Sequence, residues 1–221
     1  MVHVHHPLPR SEVHRERYIL DRARGLRVLH VGAADAPYTW DALANGTWLH
    51  SKLSAVAGEC LGVDIDEPTV ARLRQERGIT NLRVANCETL DPADVGTFDL
   101  VVAGEVIEHL DNPGLFLDGV RRVVSPTGHL LITTINAFCL RRLVRIPTHI
   151  ESVHPDHTYY FSHRTLSTLV ERHGFAFVEG HGYRVADRSF GMVGLVEGLA
   201  GLISPNLLQG LVHLYRPVVS E

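Results

Sequence analysis

Two rhythms of apolar residues alternate along this chain. Short continuous apolar runs, at residues 26–31, 60–63, 82–85, 98–103 and 129–134, are separated by stretches in which apolar positions recur every three or four residues. Continuous runs suit strands buried on both faces of a parallel sheet, and the longer spacing suits helices with one face on that sheet. The pattern predicts an N-terminal helix over 11–24 that stops at Gly25, a strand at 26–31, and a helix over 39–57 interrupted near Asn45-Gly46. A second strand over 59–64 ends in acid. A helix over 67–77 follows, opened by Asp66 and stopped by Gly78. Strand three is expected at 82–85 and strand four at 98–102, with a helix after it opening through Glu105, Glu108 and His109. A helix over 112–124, a turn at 125–128 and a strand at 129–134 complete the alternation. Further on, a helix over 162–173 with Ser162 as its cap, a strand at 175–179 and a last strand at 211–218 are expected.

Strands alternating with helices imply an α/β fold, a doubly wound sheet with helices on both faces. The chain of 221 residues fits one domain, taken as residues 11–221 after a disordered polar start at 1–10. That start lacks a basic segment followed by an apolar run, so no secretory leader is expected. Its His3, His5 and His6 are an adventitious metal trap at most. The stretch 189–210 is apolar and rich in glycine, but Glu197, Pro205 and Asn206 interrupt it. It reads as two short helices rather than a membrane span: a cap over the substrate, a homodimer interface, a contact for a lipid-bearing substrate, or plain packing.

Charge narrows the partners. Asp and Glu total 25 against 21 Lys and Arg, a formal net charge of −4, which leaves no electrostatic footprint for nucleic acid. The run Arg141-Arg142-Leu143-Val144-Arg145 is locally basic, either a solvated helix face or a contact for an anionic substrate group. Three widely spaced cysteines, Cys60, Cys87 and Cys139, form no C-x-x-C pair. They point to a reducing, cytoplasmic compartment.

The candidate chemistry lies at strand ends. Gly32-Ala33-Ala34-Asp35-Ala36 follows the first strand as a tight small-residue turn, and Asp64 ends the second. Small residues let the backbone approach a ligand, and a carboxylate at the second position can accept both hydroxyl protons of a ribose. Asp64 could instead cap the following helix, a role that Asp66 fills better. After strand four, helical spacing would put Glu105, Glu108 and His109 on one face, where they could hold a divalent metal.

The ordered set VLHVGAADAPY, LGVDID, VANCETL, FDLVVAGEVIEHLDNP and RRVVSPTGHLLITTIN resembles the class I S-adenosylmethionine-dependent methyltransferases over residues 26–185. The resemblance implies a seven-stranded Rossmann-like sheet with S-adenosylmethionine as cofactor. Gly32, Ala33 and Asp35 would border its methionine end and Asp64 its ribose. Ile65 would lie on the adenine, Asn86, Cys87 and Glu88 at the adenine edge, and Gly104 near the sulfonium. His30 stands where the family usually has an acid, and Ala34 and Ala36 replace glycines.

E-x-x-E-H resembles two metal-using subsets, the ubiquinone-biosynthesis O-methyltransferases and the small-RNA 2′-O-methyltransferases. That likeness implies Glu105, Glu108, His109 and the downstream His157 as ligands of a divalent cation that grips two neighbouring substrate oxygens. His154 and His109 are the candidate bases. Where family members bind no metal, Glu105 serves the cofactor, Glu108 is solvated and His109 lies on the helix surface. The reading is an O-methyltransferase of a small hydroxylated metabolite or glycan. The alternatives are an RNA 2′-O-methyltransferase domain, an N-methyltransferase of an amino sugar without metal, and a non-catalytic fold relative.

Overall fold

The computed structural model describes residues 8, 11–149, 151, 153–185, 199 and 201–218. The start expected to be disordered, apart from Leu8, and half of the 189–210 segment therefore lie outside the described residues; within the segment, residues 199 and 201–203 are helical and Pro205–Leu207 form a 3-10 turn.

Seven strands form one sheet in the order β3-β2-β1-β4-β5-β7-β6. They are β1 (Arg27–Val31), β2 (Glu59–Asp64), β3 (Leu82–Val84), β4 (Phe98–Gly104), β5 (Val124–Ile135), β6 (Phe175–Tyr183) and β7 (Gly210–Pro217). The first five are parallel, and β7 runs antiparallel between β5 and β6. Helices connect or cover them, with bounds fixed among the described residues for α1 (Arg15–Ala23), α2 (Thr39–Ala44), α3 (Leu49–Val56), α4 (Glu67–Arg77), α5 (Pro92–Val95), α6 (Pro113–Val123), α7 (Leu140–Leu143) and α8 (His163–Arg172).

Strand side chains alternate between two cores, as the pleat requires. Leu29, Val101 and Leu130 face Phe116 and Val120 of α6 and Leu166 of α8. Their neighbours Val28, Leu100 and Leu131 face Ile19 of α1 and Leu53 of α3. The predicted helix ends are met where capping chemistry was explicit. The Asp66 side chain accepts from Thr69 N, Gly78 closes α4 at φ +66°, and Ser162 and Thr165 form a reciprocal capping box.

Three expectations are corrected. The first helix starts at Arg15, because Val13 N and Ser11 O pair with Gly182 and hold the preceding segment extended. β5 starts at Val124 rather than after a turn, since Phe98 pairs with Val124 and draws 125–128 into the sheet. The helix expected from Glu105 is only a 3-10 turn, Ile107–His109; a full helix waits for Pro113. Glu105 itself has φ +60°, which no helix accommodates.

Four histidines are built into the interior. His30 on β1 stacks on His50 of α3, ring centroids 5.5 Å apart. His213 on β7 lies between Tyr215 and His163: its Nδ1 is 2.6 Å from the Tyr215 hydroxyl and its Nε2 is 2.6 Å from His163 Nδ1. A neutral His213 satisfies both contacts by accepting from Tyr215 and donating to His163. Burial pushes the pKa of His50 and of His163 down to about 4, and those of His30 and His213 well below the ordinary value.

All four imidazoles therefore stay neutral in the fold while the unfolded chain takes up their protons near pH 6.5. Below that pH the unfolded chain binds more protons, so the stability they contribute is complete above about pH 6.5 and is lost as pH falls toward 4, each adding about 1.4 kcal/mol per pH unit. Urea unfolding between pH 7.5 and 5 should show a steep fall in midpoint, and His50→Gln should flatten the slope by about one proton. A midpoint that stays constant over this range would mean the imidazoles titrate in the fold as they do in the unfolded chain.

Candidate functional site

The carboxyl ends of β1, β2 and β4 form one rim. Gly32 leaves β1 at φ +70°, and a Cβ there would come within 2.6 Å of Val106 Cγ2, so only glycine lets the two loops approach this closely. Gly32 N and Ala33 N both donate to Val63 O, which locks the loop to β2. Ala34 keeps a negative φ, so its replacement of a glycine costs no backbone strain; the positive φ falls on Asp35 instead, at +60°. Burial raises the Asp35 pKa, with Arg15 opposing.

Asp64 is oriented by its neighbours. Its two carboxylate oxygens accept from Ala34 N at 2.8 Å and Asp66 N at 3.0 Å, and each keeps a lone pair for a ligand. Ile65 next to it is 71% exposed, an apolar side chain at the rim without a core to join. Asn86 caps the 3-10 turn Cys87–Thr89 through Glu88 N, and the Glu88 carboxylate accepts from Asn112 N at 2.8 Å. Glu88 thus ties the third-strand loop to the start of α6. Burial pushes the Cys87 thiol up to about 12, so it stays a neutral wall rather than a nucleophile.

Sequence reasoning missed Arg15. Its guanidinium lies over Gly104, where a Cβ would come within 2.6 Å of Nη2, and its Nε donates to Thr133 Oγ1 at 2.9 Å. The partner is 118 positions away, so no local pattern announces it. The placement follows from α1, which is fastened to α3 by Lys52–Glu16 at 2.6 Å and to β6 by Tyr18 donating to Glu179 at 2.7 Å. A cavity of about 300 Å³ opens here, lined by His14, Arg15, Glu16, Glu105, Tyr183, Arg184 and Val185.

Glu105 faces this cavity, and the buried Tyr183 hydroxyl donates to its carboxylate. Glu108 turns the other way, only 1% exposed, and its Oε2 meets no partner among the described residues. It is not the solvated acid of metal-free relatives. Burial and the nearby Glu105 charge raise its pKa, which favours the protonated form over the carboxylate.

The chain brings the downstream His157 to this rim, with His154 beside it. Thr158 N and Thr158 Oγ1 both donate to the Glu108 carbonyl, at 2.9 and 3.1 Å, registering the 154–158 loop on the 3-10 turn. His109, His154 and His157 then form a compact group, with one donor atom from each ring within 4.8 Å of the others. Among the described residues Glu105 and Glu108 lie outside that group, although the Glu105 charge still acts on His157. The rim therefore offers two fits: a glycine-lined, carboxylate-oriented cradle for an adenosyl cofactor, and an imidazole group suited to a divalent cation.

Comparison with known proteins agrees with the cradle. A family model for a methyltransferase domain matches residues 43–132. A "Probable S-adenosylmethionine-dependent methyltransferase" of Mycolicibacterium smegmatis is 31% identical over 166 residues, covering 75% of this chain and 58% of that protein. The mitochondrial ubiquinone biosynthesis O-methyltransferase of Homo sapiens is 27% identical over 165 residues, 69% of this chain and 42% of that protein. The chain spans about half the length of the curated relatives it matches.

Two solved structures share the fold. The S-adenosylmethionine-dependent methyltransferase of Mesorhizobium loti has a TM-score of 0.58 at 18% identity, covering 91% of this chain and 95% of that one. The CcbJ methyltransferase of Streptomyces caelestis has a TM-score of 0.60 at 14% identity, covering 93% and 88%. Loop chemistry, strand order and relatives converge: the chain carries a methyltransferase domain over residues 43–132 and has the fold of the S-adenosylmethionine-dependent methyltransferases it resembles.

Proposed function

We propose that the chain is an S-adenosylmethionine-dependent O-methyltransferase whose acceptor is a small hydroxylated metabolite or glycan with a second oxygen beside the reacting one. The observation that carries this reading is the group of metal-competent imidazoles on the same rim as the cofactor cradle. The ubiquinone biosynthesis O-methyltransferases among its relatives support oxygen as the nucleophile.

S-adenosylmethionine, when bound, supplies a methyl group on a sulfonium that an aligned lone pair attacks. The chain's part is to hold and orient. Gly32 and Gly104 give the backbone its close approach, Asp64 accepts from the ribose hydroxyls, and Ile65 covers the adenine. Arg15 offers a guanidinium to the methionine carboxylate, a pairing with fork geometry. Tyr183 and Arg15 would bound the acceptor side, and Tyr183 holds Glu105 in place. A divalent cation held at the imidazoles would make a hydroxyl more acidic and fix two neighbouring oxygens. Without a cation, His109 and His154 would be the imidazoles available to accept the hydroxyl proton.

Methyl transfer from labelled S-adenosylmethionine to catechol, and to a vicinal sugar diol, tests the reading. Transfer to oxygen should fall at least tenfold with a chelator and return on adding a divalent salt. Transfer indifferent to chelation would favour a metal-free N-methyltransferase.

Arg15→Ala should raise the Kd for S-adenosylhomocysteine about tenfold, the loss of one charge-assisted hydrogen-bonded pair, and leave adenosine binding unchanged. Equal weakening of both ligands in calorimetry would mean that Arg15 only supports the loop.

A further inference from the structure

We infer that His109, His154 and His157 form a three-imidazole site for one borderline transition ion, such as Zn2+, Fe2+, Co2+ or Ni2+, in which Glu105 and Glu108 take no direct part. This rests on the cation reading above and replaces its mixed set of acids and histidines with a different donor set.

The three rings converge in pairs, with centroids 4.5 Å apart for His109 and His157, 5.1 Å for His154 and His157, and 5.9 Å for His109 and His154. Bonds of about 2.0–2.1 Å to imidazole nitrogen require donor atoms closer than the present limit of 4.8 Å. His154 can make that adjustment, since its side chain is 46% exposed and unconfined by the core.

The backing of the rings resembles that of metal-bound imidazoles, which hand their second nitrogen to a carbonyl or carboxylate. Asp156 serves two of them. Its carbonyl oxygen is 3.2 Å from His109 Nδ1, which places the proton on that nitrogen and leaves the Nε2 lone pair free. His154 Nδ1 accepts from Asp156 N at 3.3 Å, with the Asp156 carboxylate 3.7 Å away. Coordination through His154 Nε2 would move the ring proton to Nδ1 and require the exposed ring to turn from that N–H toward the carboxylate. His157 contributes a buried Nδ1 with no partner among the described residues.

The acids are engaged elsewhere. Tyr183 donates to the Glu105 carboxylate, and Glu108 is sequestered beneath the turn. Neutral imidazoles without carboxylates favour borderline ions and disfavour Mg2+ and Ca2+, which select oxygen. As ligands, His109 and His154 commit to the ion the lone pairs a general base needs, so both leave the base role.

Calorimetric titration of Zn2+ and Mg2+ into the full chain carrying His3→Ala, His5→Ala and His6→Ala, without cofactor or acceptor, tests the site. The visible absorption of added Co2+ is followed in parallel. One Zn2+ should bind per chain, unaffected by a large excess of Mg2+. His154→Ala and His157→Ala should each weaken it about 10- to 100-fold and abolish the Co2+ band. Glu105→Gln and Glu108→Gln should change Zn2+ affinity less than threefold. His154 touches no core residue, so its variant should keep the wild-type melting temperature.

Zn2+ affinity unchanged by His154→Ala overturns the inference. So does binding of Mg2+ that is lost in Glu108→Gln, which would restore the mixed set and keep the cation reading. No binding of any ion overturns both, and leaves methyl transfer to be judged by the labelled-methyl assay alone.

Discussion

The site depends on one backbone constraint, the left-handed conformation of Glu105 at the end of β4. A residue with a Cβ gives up roughly 1–2 kcal/mol to sit at φ +60°. Neighbours on two strands hold it there: Glu105 N donates to Thr133 O of β5, and Tyr183 of β6 donates to its carboxylate. The sharp turn leaves Gly104 open beneath Arg15, sends Glu108 inward, and leaves His109 facing the 154–158 loop. An ordinary helical start would have put all three E-x-x-E-H side chains on one face. The strained turn separates the acids from the imidazole instead.

That separation shows why the motif was half legible. Its place after strand four could be read from the apolar run and its sudden end, because strand burial depends on local composition. The direction of each side chain could not, since it is set by hydrogen bonds to β5 and β6, strands far along the chain. Arg15 was hidden for the same reason. Asp64 was readable because its partners, Ala34 and Asp66, belong to the same βαβ unit. The interior histidines lay beyond sequence reasoning too: nothing in a single row of residues tells His213, enclosed beside Tyr215, from His154, turned to the surface.

Histidine serves two opposite purposes here. Within the fold, His30, His50, His163 and His213 are neutral hydrogen-bonding wedges, stacked in pairs so that each protonation would set charge against charge in a dry interior. At the rim, the same side chain is displayed on loops with its lone pairs turned toward one another. The difference is made by the elements that carry them. Strands and packed helices fix the first group from both sides, while the 3-10 turn and the 154–158 loop fix the second only from behind, leaving room for another atom between the rings.

The position of β7 has a consequence for how the molecule comes into being. β6 is made before β7, yet it joins the sheet only through β7, which separates it from β5. A growing chain can therefore assemble β1 through β5 in the order they emerge, but β6, though it meets Ser11, Val13 and Tyr18, takes its place in the sheet only when a later segment threads into the gap. Glu105 is then the last part of the rim to find its partner, so a chain interrupted during synthesis before β7 would carry a formed cofactor cradle beside an unfinished acceptor wall.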